Sequence, residues 1–345
     1  MSKIKAGIIG ATGYTGSELV RIIKKHPDVA LEIITSESRA GEKFSDVHAF
    51  FQDIEEQELK SIKEIDHYDL DVAFLALPHG VSMNFVKEHA GKDFKIIDLS
   101  GDFRLKPKDL YEEWYHTEHI FSKGIEDAVF GSPELFADKI KTAKLVANPG
   151  CYPTSAILAS APLLMAEYVD PKSIIIDSKS GVTGAGIKAK TINMYSNVND
   201  NFKAYGLKTH RHTIEIQYIL ESISKSNVLV QFTPHLLPVD RGILSTTYLR
   251  PIKEVDENEL NNVFKDFYAD APFIRIRENP PAIKDVKGTN YCDININYDP
   301  RTNMIIIISV IDNLVKGAAG QAVQNMNIMF GLDERQGLRQ IPVNP

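Results

Sequence analysis

Three glycines spaced by three, Gly10, Gly13 and Gly16, stand between an apolar run at residues 6–9 and a helical pattern at 17–25. Leu19, Val20, Ile22 and Ile23 make the apolar side of that helix, and Pro27 stops it. A second apolar run at 31–35 completes a strand–helix–strand unit. Such a unit demands a parallel sheet with a right-handed crossover. The helix start offers unpaired backbone N–H groups and the positive end of its dipole, and the glycines let a pyrophosphate approach them. Gly10, Thr12, Gly13, Tyr14, Thr15 and Gly16 are therefore read as a nucleotide-binding turn, although the spacing differs from G-x-G-x-x-G.

More buried strands follow at 72–77, 95–98 and 144–147, ending at Pro78-His79-Gly80, Ser100-Gly101 and Asn148-Pro149-Gly150. Ligands gather at the carboxyl ends of parallel strands, where those turns lie. Beyond Cys151 the texture changes. A helical stretch at 154–168 leads to a strand at 173–177 and a glycine-rich loop at 180–186. The later strands, 244–249, 291–298 and 304–310, alternate openly and predict a mixed or antiparallel sheet. Residues 317–330 are small and apolar on one side, which predicts a closely packed helix. A chain of 345 residues fits two domains. The expected division is an α/β parallel-sheet domain over 1–148, with the tail 315–345 packing back on it, and an α+β mixed-sheet domain over 149–314.

The end of the second strand chooses between cofactors. An NAD site would carry an acid there for the ribose hydroxyls. Here Ser36, Ser38, Arg39 and Lys43 offer hydroxyl and cationic donors to a 2′-phosphate, which favours NADP. Glu37 conflicts with that reading unless its side chain points away.

Composition narrows the partners. Asp plus Glu number 46 against 39 Lys plus Arg, a formal charge of −7. That balance gives no general pull toward nucleic acid or an anionic membrane. The longest apolar run, 304–310, is strand-sized, and the N-terminus enters a strand pattern without a signal-peptide core. Two cysteines far apart make no disulfide framework. The reading is a reduced, cytoplasmic protein acting on a small molecule.

Cys151 follows a Pro-Gly turn and precedes a helix expected to begin near Pro153. A thiol at a helix N-terminus ionises more easily, and the thiolate is the nucleophile. Cys292 is in phase with Ile294 and Ile296 on a strand and is read as structural. Of ten histidines, His210 and His212 stand apart, just before an amphipathic run. In extended chain they face one side. No Cys/His/Asp cluster supplies further metal ligands at a recognisable spacing, so no metal is expected. One of the two histidines is the acid–base candidate, with Glu215 as a possible orienting partner. Arg104, after a sheet strand, is placed to meet an anionic substrate group. Arg241 is either a substrate contact or a paired structural charge. The 180–186 loop offers backbone N–H groups to an anion, or is a flexible connection.

Six segments occur together and in order: Gly-Ala-Thr-Gly-Tyr-Thr-Gly-Ser-Glu-Leu, Ala-Leu-Pro-His-Gly, Asn-Pro-Gly-Cys-Tyr-Pro-Thr, Ser-Gly-Val-Thr-Gly-Ala-Gly, His-Arg-His with Glu215, and the run from Asp312 to Ala322. Spanning almost the whole chain, they resemble the N-acetyl-gamma-glutamyl-phosphate reductases within the semialdehyde dehydrogenase superfamily. The resemblance implies a Rossmann-type NADP(H)-binding domain and an α+β catalytic domain that mediates homodimer or homotetramer contacts. It implies Cys151 as nucleophile and His210 as acid–base, with His212 and Glu215 in support. Pro78, Ser180, Gly181 and Asn313 join the implied cofactor contacts, and Asn148 joins Arg104 and Arg241 around an acyl-phosphate substrate that releases phosphate. One departure is Ile187 after Gly186, where many members carry arginine. Competing readings are a reductase of aspartyl phosphate or of a carrier-bound aminoadipyl phosphate, and a nucleotide sensor without chemistry. A glyceraldehyde-phosphate dehydrogenase is excluded, because its Ser-Cys-Thr-Thr-Asn is absent.

Overall fold

The computed structural model describes residues 2–344. It divides into two compact units. One takes the chain through Pro149 together with Ala318–Arg339; the other takes Gly150–Gly317 and the chain from Gln340. The tail is thus shared between them, and in the second unit the Val343 N–H donates to the Lys287 carbonyl at 3.0 Å.

The first unit is built on β1 (Ile4–Ile9), β2 (Val29–Thr35), β3 (Val72–Leu75), β4 (Lys95–Asp98), β5 (Val129–Phe130) and β6 (Leu145–Ala147). They line up as β2-β1-β3-β4-β6-β5, and every pairing is parallel. Both faces are covered, so the strands are continuous apolar runs; Ile8, Ile9, Val72, Phe74 and Ile97 are fully buried. The chain steps from β1 outward to β2 and then returns to β3 on the other side of β1, which opens a crevice at the carboxyl ends of β1 and β3.

Crossover helix α1 (Tyr14–Ile23) buries Leu19, Val20, Ile22 and Ile23. It starts three residues earlier than the apolar pattern predicts, because the extended Gly13 serves as its N-cap. Gly10 has φ +90°, and a β-carbon on it would lie 2.7 Å from the Ala76 carbonyl oxygen. Only glycine fits both demands there. Helix α2 (Ser82–Glu88) follows the turn after β3.

The second unit holds α3 (Cys151–Met165) and α4 (His212–Ser224) against a sheet of β7 (Ile174–Ser180), β8 (Lys203–Ala204), β9 (Val230–Leu236), β10 (Ile243–Leu249), β11 (Ile274–Ile276), β12 (Cys292–Asp299) and β13 (Met304–Ile311). The order is β11-β12-β13-β10-β7-β9-β8. Strand β10 runs antiparallel to β13 and β7, whereas β7 and β9 are parallel, so the sheet is mixed as the alternating patterns predict.

Helix α3 packs on α4, β10 and β13. It begins at Cys151, earlier than the 154 expected, because Gly150 is an extended N-cap and Pro153 in the first turn has no N–H to satisfy. Its residues from Tyr152 through Leu164 are all buried. Within that apolar surround lies a hydroxyl cluster. Ser155 Oγ meets Ser245 Oγ and Ser309 Oγ at 2.8 Å each, and Ser178 Oγ meets Ser245 Oγ at 2.6 Å. All four serines are fully buried.

After β13 the chain winds as one π-helical turn, Val315–Ala319. Helix α5 (Gly320–Met329) then belongs to the first unit. Its buried surface is polar as well as apolar, unlike the sequence expectation. Gln321 and Asn325 both donate to the Gly131 carbonyl, at 3.0 and 2.9 Å, in a place where a side chain on residue 131 would collide with Asn325.

Candidate active site

In the second unit, Cys151 is the first residue of α3, with no side chain capping the helix. At such a position, unpaired first-turn N–H groups and the positive end of the helix dipole are what eases the ionisation of a thiol. Cys151 is part-exposed and Cys292 is buried on β12.

Glu215, fully buried in the first turn of α4, accepts the Gly150 N–H at 2.8 Å. The carboxylate therefore fixes the turn that delivers the cysteine. The sequence suggested a role in orienting a histidine; the main-chain partner 65 residues away carries no sequence signal.

His210 lies in the turn before α4 and His212 is the helix's first residue. Their rings come within 4.8 Å of each other, and both stand edge-on to Tyr152, at 5.7 and 5.8 Å. They converge through this turn and not through the extended chain the sequence reading assumed. Tyr205 and Phe232 close around His210, each at 5.5 Å. Burial pushes its imidazole down to about 4, with Arg211 adding to the effect. The His212 N–H donates to His210 Nδ1 at 3.2 Å. A nitrogen that accepts has no proton, so the neutral ring carries its hydrogen on Nε2. The Tyr152 and Tyr205 hydroxyls meet at 3.0 Å, and burial raises both phenols, Tyr205 to about 12. Neither tyrosine was singled out from sequence; Tyr152 adjoins the cysteine, but Tyr205 gives no signal.

The π turn approaches the same helix end. A β-carbon on Gly317 would stand 2.8 Å from Cys151 Cβ. Asp312, fully buried, organises that turn: its Oδ1 accepts the Leu314 and Val315 N–H groups at 2.8 and 3.2 Å. Its Oδ2 accepts the Gly288 N–H at 2.7 Å and pairs with Arg241 at 3.4 Å. Of the two readings of Arg241, the geometry supplies the ion pair. Asn313 accepts the Gly242 N–H at 2.8 Å and donates to Thr183 Oγ1 at 2.9 Å. Ser180 Oγ donates to the Gly181 carbonyl, and a side chain at 181 would strike the 240–241 backbone. Ser180, Gly181 and Asn313 thus knit three loops together. Ile187 is about half exposed.

In the first unit, apart from its chain neighbours no atom of the described residues lies within 4 Å of where a Gly13 side chain would begin, and the α1 N-terminus has no side-chain cap. Thr12 Oγ1 meets Ser36 Oγ at 3.3 Å, joining the glycine turn to the end of β2. Ser38 and Arg39 are exposed, Arg39 pairing with Glu42 at 2.9 Å. Glu37 does point away: its carboxylate accepts from the Ser61 hydroxyl and the Ile62 N–H. Pro78 is exposed after β3. Arg104 is 6% exposed, donating to the Asn148 carbonyl at 2.8 Å and the Leu99 carbonyl at 3.0 Å. Asn148 in turn donates to the Ala318 carbonyl and accepts from Asn325. Those two expected substrate residues are neighbours, engaged with main chain and with α5.

Two family models match. One described as semialdehyde dehydrogenase, NAD binding domain, covers residues 5–143; the other, semialdehyde dehydrogenase, dimerisation domain, covers 151–313. A relative from Pelotomaculum thermopropionicum named N-acetyl-gamma-glutamyl-phosphate reductase is 50% identical over 342 residues, 97% of each chain. Proteins of the same name from Clostridium novyi and Campylobacter jejuni subsp. doylei are each 46% identical, covering 97% and 98% of this chain and 98% of their own. Among solved structures, aspartate semialdehyde dehydrogenase II from Vibrio cholerae superposes with a TM-score of 0.73 at 17% identity, over 96% of this chain and 99% of its own. The Candida albicans aspartate semialdehyde dehydrogenase with NADP gives 0.72 at 15% identity, over 95% and 99%. At that identity the likeness is one of fold.

Proposed function

The chain belongs to the N-acetyl-gamma-glutamyl-phosphate reductase family, and from that premise we propose that it converts N-acetyl-L-glutamyl 5-phosphate and NADPH to N-acetyl-L-glutamate 5-semialdehyde, NADP and phosphate, a step of arginine biosynthesis. The observation that carries the reading is a part-exposed cysteine at an uncapped helix N-terminus, its preceding turn held by a buried carboxylate.

The Cys151 thiolate attacks the acyl carbon; the C–S bond forms, the C–O bond to phosphate breaks, and a thioester remains. When bound, NADPH supplies the hydride that takes the thioester carbon to the aldehyde level. The oxyanion formed on that carbon needs a donor, and the Cys151 N–H and the Nε2–H of neutral His210 are the groups this chain offers. Collapse breaks the C–S bond and restores the thiolate. His210 acts as the acid–base in this cycle, with His212 fixing its tautomer. Arg104, Asn148 and Arg241 are assigned to the substrate side.

For the cofactor, Gly10, Thr12, Gly13, Tyr14, Thr15 and Gly16 form the phosphate cradle, which the open space above Gly13 suits. Ser36, Ser38 and Arg39 receive the 2′-phosphate, with Glu37 occupied elsewhere. Pro78, Ser180, Gly181 and Asn313 complete the proposed contacts. The first unit is the NADP-binding domain; the second is the catalytic and oligomerisation domain of a cytoplasmic homodimer or homotetramer, which the matched dimerisation domain supports.

The test is NADP reduction in the reverse direction with phosphate present, comparing N-acetyl-glutamate semialdehyde with aspartate semialdehyde. Phosphate-dependent turnover of the acetylated substrate, abolished in Cys151→Ala, is the expected result. Turnover of aspartate semialdehyde alone would overturn the substrate assignment. Activity with neither would redirect the substrate to a carrier-bound aminoadipyl phosphate.

A further inference from the structure

The turn after β3 is held in place by the loop after β4. Asp102, fully buried, accepts the Gly80 N–H on both oxygens at 3.0 Å, the Met83 N–H at 3.1 Å and the Tyr111 hydroxyl at 2.8 Å. One residue earlier, the Gly101 N–H donates to His79 Nδ1 at 2.7 Å. The His79 ring stands edge-on to Tyr115 at 5.3 Å, and Gly101 lies so near Tyr115 that no side chain fits there. A ring nitrogen that accepts a main-chain N–H bears no proton, so His79 is neutral with its hydrogen on Nε2. His79 is nevertheless exposed. The loops therefore hold an accessible imidazole in one orientation and one tautomer, a fixed donor.

Its position follows from the strand order. Gly10 packs on Ala76 and Leu77, which places the glycine turn beside the residues that lead into Pro78 and His79. With β1 between β2 and β3, the adenosine half of a dinucleotide lies toward β2, where Ser36, Ser38 and Arg39 stand, and the other half lies toward β3. We propose that His79 donates its Nε2–H to an oxygen acceptor on the nicotinamide-ribose half of NADPH. The proposal rests on the NADPH reading above. His79 is here a binding residue with no proton to transfer, because release from Nε2 would leave both nitrogens bare.

The test measures dissociation constants of NADPH and of 2′,5′-ADP, which lacks the nicotinamide half, by calorimetry. His79→Phe keeps a ring against Tyr115 and loses the donor; His79→Asn keeps an acceptor for Gly101 and is too short to present the donor. Both variants are expected to bind NADPH roughly tenfold more weakly, the scale of one hydrogen bond, and to keep 2′,5′-ADP affinity. Unchanged NADPH affinity in both overturns the proposal, as does an equal loss for both ligands, which would report a damaged turn. A wild-type protein that binds neither ligand would overturn the NADPH reading itself. Alkylation of Cys151 at the wild-type rate checks that each variant is folded.

Discussion

Gly317 faces Cys151 so closely that a β-carbon on it would lie 2.8 Å from Cys151 Cβ and 3.2 Å from its Cα. Both contacts are on Cys151, the proposed nucleophile, so a methyl group can be admitted only by moving the π turn or the start of α3. Gly317→Ala is expected to lower kcat on the order of a hundredfold, the scale of a 1 Å misplacement, and to leave NADPH affinity unchanged. Steady-state kinetics beside a cofactor titration checks this; an unaltered kcat would show that the helix end accommodates the methyl freely.

The two thiols should differ sharply. Cys151 is part-exposed at a helix N-terminus, and Cys292 is fully buried on β12. Iodoacetamide should modify Cys151 alone in the native protein and both cysteines in denaturant. Peptide mass mapping reads the sites, and native labelling at Cys292 would contradict the assignment.

Glu215→Ala strands the Gly150 N–H in the interior. A hydrogen bond to a charged group is worth about 1.5–3 kcal/mol, and that is the expected loss of stability in urea unfolding. Glu215→Gln keeps an oxygen for Gly150 and should lose less. Equal losses would show that charge, not the acceptor, matters there.

Acid should act on His210 and Asp98 in opposite senses. Burial lowers His210 from 6.5 to about 4, so between those values the unfolded chain binds the proton first and stability falls as pH falls. Burial and neighbouring Asp102 raise Asp98 from 3.8 to about 6, so the folded state binds the proton first and stability falls as pH rises through that window. His210→Gln should flatten the acid side of a Tm-versus-pH curve, and Asp98→Asn should flatten the opposing slope. Superimposable curves for a variant and the wild type would sink that residue's share.

Cofactor choice should rest on Arg39. Its guanidinium is exposed beside Glu42 near the end of β2. Arg39→Ala is expected to raise KM for NADPH roughly tenfold and leave KM for NADH unmoved, because only the former loses a charge-assisted partner. Kinetics with both coenzymes decides the matter; parallel changes would point to a general fault in the β2 end.

The parallel sheet was legible because its cause is local: apolar runs, each closed by a glycine or proline turn, with one helix carrying a clean apolar stripe. Cys151 at a helix start was legible for the same reason. What escaped depends on distant segments meeting. Glu215 reaches Gly150 across 65 residues, and Gly317 meets Cys151 only after β13 has turned back. The histidine pair was paired correctly but by the wrong geometry, since period-two reasoning applies to strands and the residues occupy a turn and a helix start. Arg104 was read as meeting an anionic substrate group, and sequence does not show that its guanidinium donates to the Asn148 and Leu99 carbonyls.

The four buried serines bear on where Cys151 aims. An amphipathic helix finds its rotational setting from its greasy stripe, but α3 is buried all round and has no such stripe to follow. Ser155 sits one turn below Cys151 on the same side of the helix, and its hydroxyl locks to β10 and β13 like a key in a keyway. The bearing of the proposed nucleophile is therefore set from inside the protein, at four fully buried hydroxyls. A chain that lost those hydroxyls could keep every group named in the chemistry and still point its sulfur in the wrong direction.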